Sequence, residues 1–154
     1  MLTSAEYDRV KDLMSVQEFG AKVKDKVAEW AGLVDDKTAS LIVLDELGRL
    51  EVPFNKISDL EDATEVSVRG RVESIGPVRE FARKSGEQGR VVNVELDDGS
   101  GRCRLTLWDE DVKMIERGYI KTGKTLRALD CYARKSNFGL EIGRGKFGSV
   151  IVEE

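Results

Sequence analysis

Apolar residues recur every three to four positions through residues 1–48 and every second position from residue 64 onward. That change of period predicts an α+β chain: a small N-terminal three-helix bundle followed by a five-stranded Greek-key β-barrel. Punctuation supports the division. Two helix-start signals of the form S/T-x-x-E stand in the first part, and an Asp-Gly turn separates alternating segments in the second. The domain boundaries read as 1–48 for the bundle, 49–63 for a linker and 64–154 for the barrel.

In the first part, Thr3 with Glu6 and Ser15 with Glu18 are capping boxes, each just ahead of an apolar stripe. Tyr7, Val10, Leu13 and Met14 share one face of a first helix, and Val16, Phe19, Val23, Val27 and Trp30 share one face of a second. Asp35 or Asp36 caps a third, whose Ala39, Ile42, Val43 and Leu47 face inward before Gly48 ends it. Such a bundle is marginal alone. Residues 49–63 (RLEVPFNKISDLEDA) combine a proline, apolar anchors and clustered acids, as a half-docked linker does.

In the second part, Val66, Val68, Gly70 and Val72 alternate with polar residues, and so do Val92, Val94 and Leu96. DDGSG at 97–101 is a hairpin signal, because Asp-Gly supplies the left-handed conformations that tight turns need. RCRLTLW returns as the third strand. Asp109–Arg117 suits one short helix ending at Gly118, and TLRALDCYAR, GLEIG and SVIV follow as strands. Three strands, a helix and then further strands is the element order of an OB-type Greek-key barrel.

Composition narrows the chemistry. The 154 residues are 40% apolar, include no histidine and carry a formal net charge of −4. Lack of histidine removes Ser-His-Asp and Cys-His catalysis and every imidazole-ligated metal site. Cys103 and Cys131 form no CxxC pair and read as reduced, buried thiols. No metal, cofactor or catalytic residue is expected. No membrane-length apolar run or signal peptide is read, so a cytoplasmic, nucleoid-associated protein is expected. Charge is unevenly divided: residues 1–49 hold ten acids and seven bases, residues 50–63 four acids and one base, and residues 64–154 fifteen acids and seventeen bases. The barrel alone is basic.

Two motifs mislead. GYIKTGKT at 118–125 satisfies the phosphate-loop pattern, with LIVLDE at 41–46 mimicking its acidic partner strand. The required order is strand, loop, helix, and here a helix precedes and a strand follows. GRGKFG at 143–148 matches G-x-G-x-x-G but leaves six residues after it, too few for a receiving helix.

The informative pattern lies on the third strand. With Cys103, Leu105 and Leu107 pointing inward, Arg102, Arg104, Thr106 and Trp108 point outward, setting a tryptophan beside two arginines. The bland alternative is a Trp wrapped onto the next helix. The functional one is a flat ring for a base beside cations for phosphates. RKSNF at 134–138 adds Arg134, Lys135 and Phe138 between the fourth and fifth strands. The loop after the first strand, GPVREFARKSGEQGR, adds Arg79, Phe81, Arg83, Lys84 and Arg90. All three clusters fall where an OB-fold presents its oligonucleotide surface.

Gly70–Val72, Arg79–Phe81, Asp97–Gly99, Leu107–Asp109 and Arg134–Gly139 together resemble the single-stranded-DNA-binding OB domains of replication protein A, in particular the archaeal ones. The helical start ending LDELGR ahead of KISDL resembles the module before the first OB-fold in archaeal members. The resemblance implies a non-enzymatic single-stranded DNA-binding protein of replication and repair. It implies stacking roles for Trp108 and Phe138, a phosphate contact for Arg134, and other replication or repair proteins as partners of residues 1–48. Members of that family carry several OB-folds, a zinc insertion or a trimerisation helix, whereas this sequence holds one barrel; a short member, a partner subunit or a piece of a longer protein would read so. Two other functions compete: RNA or tRNA binding, which uses the same stacking and phosphate contacts, and a protein-interaction scaffold, which requires Trp108 to be buried.

Overall fold

The computed structural model describes residues 4–137, 139–145 and 147–153, and divides the chain into two compact units, Met1–Val52 and Pro53–Glu154. The first unit holds α1 (Ser4–Asp8), α2 (Val16–Glu29) and α3 (Asp36–Glu46). The second holds a 3₁₀ turn (Ile57–Asp59), strands β1 (Thr64–Ile75), β2 (Arg79–Ala82), β3 (Gln88–Asp97) and β4 (Arg102–Trp108), and a 3₁₀ turn (Asp109–Val112) running into α4 (Lys113–Glu116). Strands β5 (Thr125–Ser136), β6 (Gly139–Gly143) and β7 (Ser149–Val152) complete it.

Caps explain where the helices begin and end. Ser15 accepts the Glu18 N–H while the Glu18 side chain reaches back to the Ser15 N–H, a capping box at the start of α2. Asp35, not Asp36, caps α3 by accepting the Thr38 N–H at 2.8 Å. After α3, Gly48 N–H donates to Asp45 O and Arg49 N–H to Leu44 O, with Gly48 at φ 72, the paired bonds of a Schellman stop. The first helix is shorter than its apolar stripe: it ends at Asp8, and residues 9–13 continue as turns. The supposed shared face therefore splits, with Val10 buried and Leu13 exposed. Val16 is exposed as well, since it opens α2 one turn before Phe19, Val23 and Trp30, which are buried. Thr3, half of the other capping box, lies outside the described residues.

In the second unit, hydrogen bonding follows the path β1-β3-β4-β6-β5-β7, and β1 also pairs with β5, so the sheet closes on itself. It is a mixed sheet, because β6 runs parallel to β4 and antiparallel to β5. Among the described residues seven strands are present where a five-stranded barrel was expected. Residues 79–82, read as part of a loop, pair with β3 as β2, and GLEIG and SVIV, both read as strands, are β6 and β7. Inside the sheet lie Val68, Val72, Val94, Leu96, Leu105, Leu126, Ala128 and Ala133, all fully buried. Cys103 and Cys131 are free, buried thiols, and burial foremost, with Asp98 and Cys131 adding to it, pushes Cys103 up to about 12.

Residues 53–63, read as linker, group with the sheet. Asn55 exchanges two hydrogen bonds with the Ser67 backbone, at 2.7 and 3.0 Å, and Ile57 and Leu60 are buried. Asp98 fixes this segment by accepting N–H bonds from Ile57, Ser100 and Gly101 and the Ser100 hydroxyl. Partial burial works to raise its pKa, but those donors outweigh it and hold the carboxyl below its usual value. A depressed folded-state pKa stabilises the fold fully above the unfolded value, about 4, and that contribution is lost as pH falls through the folded one. Acid titration of the urea midpoint is therefore expected to show a weaker acid limb in Asp98→Asn than in wild type. Equal limbs would show that the carboxylate charge does not hold residues 53–63.

Candidate nucleic-acid interface

Strand register sorts the outward side chains into rows, since facing residues on neighbouring strands lie side by side and successive rows stand about 7 Å apart. One row reads Arg79, Val91, Trp108 across β2, β3 and β4. The next reads Asn93, Thr106, Gly143, Tyr132 across β3, β4, β6 and β5, and the third Glu95, Arg104, Glu141, Arg134. Asp97 and Arg102 face each other in a fourth. Beyond Trp108, at the other end of the face, Phe81 stands opposite Gly89.

The first two rows, with Glu141 and Arg134 of the third, line an open groove of about 440 Å³. Trp108 stands in it 50% exposed, while Cys103, Leu105 and Leu107 on the same strand are buried. The Phe81 and Trp108 rings stand perpendicular, centroids 5.7 Å apart at 89°, and the indole remains half exposed in the groove. Gly89 makes that position available, because a Cβ there would lie 2.3 Å from the Phe81 ring.

The candidate cations divide into two sets. Arg83 lies 4.9 Å from the centre of the Phe81 ring and pairs with Asp109 at 2.6 Å. Asp109 also accepts the Arg90 N–H, and that bond first, then Arg83, holds its carboxyl below the usual range. The Arg90 guanidinium grips Glu116 with two bonds of 2.6 and 2.7 Å, which lowers the Glu116 carboxyl. Arg102 pairs with Glu95 and Asp97, and Arg104 with Glu141. Four of the proposed phosphate ligands are thus engaged with carboxylates. Arg79, Lys84, Arg134 and Lys135 are exposed, and no ion pair joins them to an acid among the described residues. Phe138 lies outside the described residues.

Tyr132, absent from the residues singled out in the sequence, lines the groove at 46% exposure. A β-bulge hides it. Val66 faces Cys131 but Val68 faces Ala128, so β5 carries one extra residue there, with Asp130 at φ 54 donating its N–H to Ser67 Oγ at 3.0 Å. Leu126 and Ala128 point inward on one side of the bulge and Cys131 and Ala133 on the other, which turns Tyr132 and Arg134 outward. Phe147, between β6 and β7, is also exposed. The phosphate-loop look-alike is a hairpin entry: the Gly123 N–H donates to Val72 O and the Lys124 N–H to Lys121 O.

A closed mixed sheet with an aromatic, cation-edged groove across its outer face places the second unit among OB-fold domains, and the similar solved structures belong there. The solution structure of a replication factor A related protein from Methanobacterium thermoautotrophicum is 29% identical, with a TM-score of 0.57 over 69% of this chain and 96% of that one. The second OB-fold domain of replication protein A from Methanococcus maripaludis is 27% identical, with a TM-score of 0.54 over 66% of this chain and 96% of that one. No family profile matches. In sequence, replication factor A of Methanothermobacter thermautotrophicus is 31% identical over 140 residues, which cover 84% of this chain. The chain is a relative of archaeal replication factor A, and it spans 17% of that protein's length.

Proposed function

We propose that the chain binds single-stranded DNA without catalysing a reaction, as a module of DNA replication and repair. In this reading residues 64–154 form a Greek-key OB barrel that holds the strand, and residues 1–48 form a three-helix module that docks other replication or repair proteins. The observation that carries it is Trp108, half exposed in a groove edged by Arg79 and Arg134, cations with no carboxylate partner among the described residues. Bases stack on Trp108, and on Phe138 as the family resemblance implies, while Arg79, Lys84, Arg134 and Lys135 take phosphates. Arg83, Arg90, Arg102 and Arg104 hold the hairpin and the sheet face in shape. A scaffold role calls for a buried Trp108, and kinship with a replication factor favours DNA over RNA. Among the described residues no helix is long and apolar enough to cross a membrane.

The test is a titration with oligo-dT followed by tryptophan fluorescence, to which Trp30, being buried, contributes little change. A single strand is expected to quench Trp108 with a site of about 4–16 nucleotides. A matched RNA is expected to compete less well, and equal affinity for a blunt duplex of the same length would overturn the reading. Salt dependence separates the two cation sets. Arg134→Ala is expected to reduce the log–log salt slope by about 0.7, the value for one phosphate contact on a single strand. Arg83→Ala is expected to leave that slope unchanged, because its guanidinium is engaged with Asp109.

A further inference from the structure

A glycine paired in a sheet between two neighbouring strands gives the strand nothing to pack and calls for a reason. Gly143, the last residue of β6, sits at such a position, facing Thr106 on β4 and Tyr132 on β5. The usual reasons fail. Its φ is not in the left-handed region, so the backbone does not demand glycine. A Cβ built on it meets no atom within 4 Å, so packing does not demand it either, in contrast with Gly89 and Gly148, where a Cβ would lie 2.3 Å from its nearest neighbour. Nor is Gly143 shielded by the ring across from it, as happens when an aromatic covers a facing glycine: no atom of Tyr132 lies within 4 Å of that Cβ.

What glycine leaves at this point is space within the groove. Strands β4 and β5 flank β6, so Thr106 and Tyr132 stand about 9.5 Å apart at the backbone, two strand spacings, with nothing rising between them from Gly143. Tyr132 forms one wall and is 46% exposed, and Trp108 stands one row further along the same face. We propose that Gly143 keeps open a slot for one base of the bound strand, with the β6 backbone as its floor and Tyr132 as the aromatic surface against which that base lies. This rests on the single-strand-binding reading and adds to it a further base position, distinct from those assigned to Trp108 and Phe138. Stacking accepts every base, so the slot selects for an unpaired base and not for its identity.

Gly143→Val and Gly143→Ala in the full chain test the slot by thermal unfolding and by oligo-dT affinity. Both variants are expected to melt at or above the wild-type temperature, because the added side chain meets open space and valine favours strands. Gly143→Val is expected to bind oligo-dT at least tenfold more weakly, with Gly143→Ala between it and wild type and the salt slope unchanged in both. A marked fall in melting temperature in both variants would make Gly143 a residue of the fold and overturn the slot. So would wild-type affinity in a folded Gly143→Val. Failure of the wild-type chain itself to bind oligo-dT removes the underlying reading before any variant is made, whereas weakened Trp108→Ala beside intact Gly143→Val removes the slot alone.

Discussion

Replacing Trp108 with alanine is expected to weaken oligo-dT binding by about 1–3 kcal/mol, the range for one base–aromatic stack, while thermal unfolding stays close to wild type. The two halves of this expectation come from one geometric fact. Trp108 ends β4 at 50% exposure, with the Phe81 ring set perpendicular to it, so only half of its surface is withdrawn from water in the fold. Fluorescence anisotropy of a labelled oligonucleotide is the suitable readout, since the variant loses the tryptophan that would be quenched. Phe81→Ala serves as the companion. Its ring touches the indole without standing in the row of groove residues, so its loss should cost less affinity than the loss of Trp108 itself. A folded Trp108→Ala chain that binds as well as wild type would return the indole to the role of a surface residue.

Leu105→Ala, three residues earlier on the same strand, is expected to do the reverse. Leu105 is fully buried, points into the closed sheet from the middle of β4, and has Val94 and Ile142 as register partners on β3 and β6. Removing its side chain forfeits transfer free energy and leaves a cavity, about 2–5 kcal/mol together, out of a total stability of about 5–15 kcal/mol for a domain. The denaturant midpoint of the second unit should fall accordingly. At temperatures where the variant is still folded its oligo-dT affinity should match wild type, because the outward face of β4 is untouched. Unfolding at the wild-type midpoint would mean that β4 does not form the wall of the core.

The contrast between these two residues was legible in the sequence because alternation along a regular strand is a local property. Cys103 to Trp108 could be sorted into inward and outward sets without knowing any partner. Tyr132 could not, since the bulge at Leu129–Asp130 resets the alternation, and a bulge is specified by how β5 meets β1 some sixty residues earlier. The same limit hid β2. Arg79–Ala82 is short and charged, and becomes a strand only by pairing with the glycine-containing start of β3, where Gly89 leaves room for Phe81. Charge partners were also invisible. Arg83 and Arg90 read as free cations because Asp109 and Glu116 follow them by 26 residues each and are brought near only by the return of β4. Cap positions, by contrast, depend on three or four consecutive residues, and Ser15 and Gly48 were placed correctly for that reason.

The double pairing of β1 has a consequence for how the second unit assembles. β3 and β4 lie close together in sequence and can zip from their four-residue turn, but β1 must find β5, with Thr64 opposite Ala133, before the sheet has no open edge between them. Bringing such distant segments together costs chain entropy before the contact returns any free energy, which places folding in the slow, milliseconds-to-seconds regime of closed and sandwich-like β domains. Until that closure, the inward faces of β1 and β5, Val66, Val68, Leu126 and Ala128, are uncovered along strands whose backbone groups are still unpaired. The nascent chain is therefore most exposed to association with its own copies in the interval after β1 has emerged and before residue 133 is available to close it.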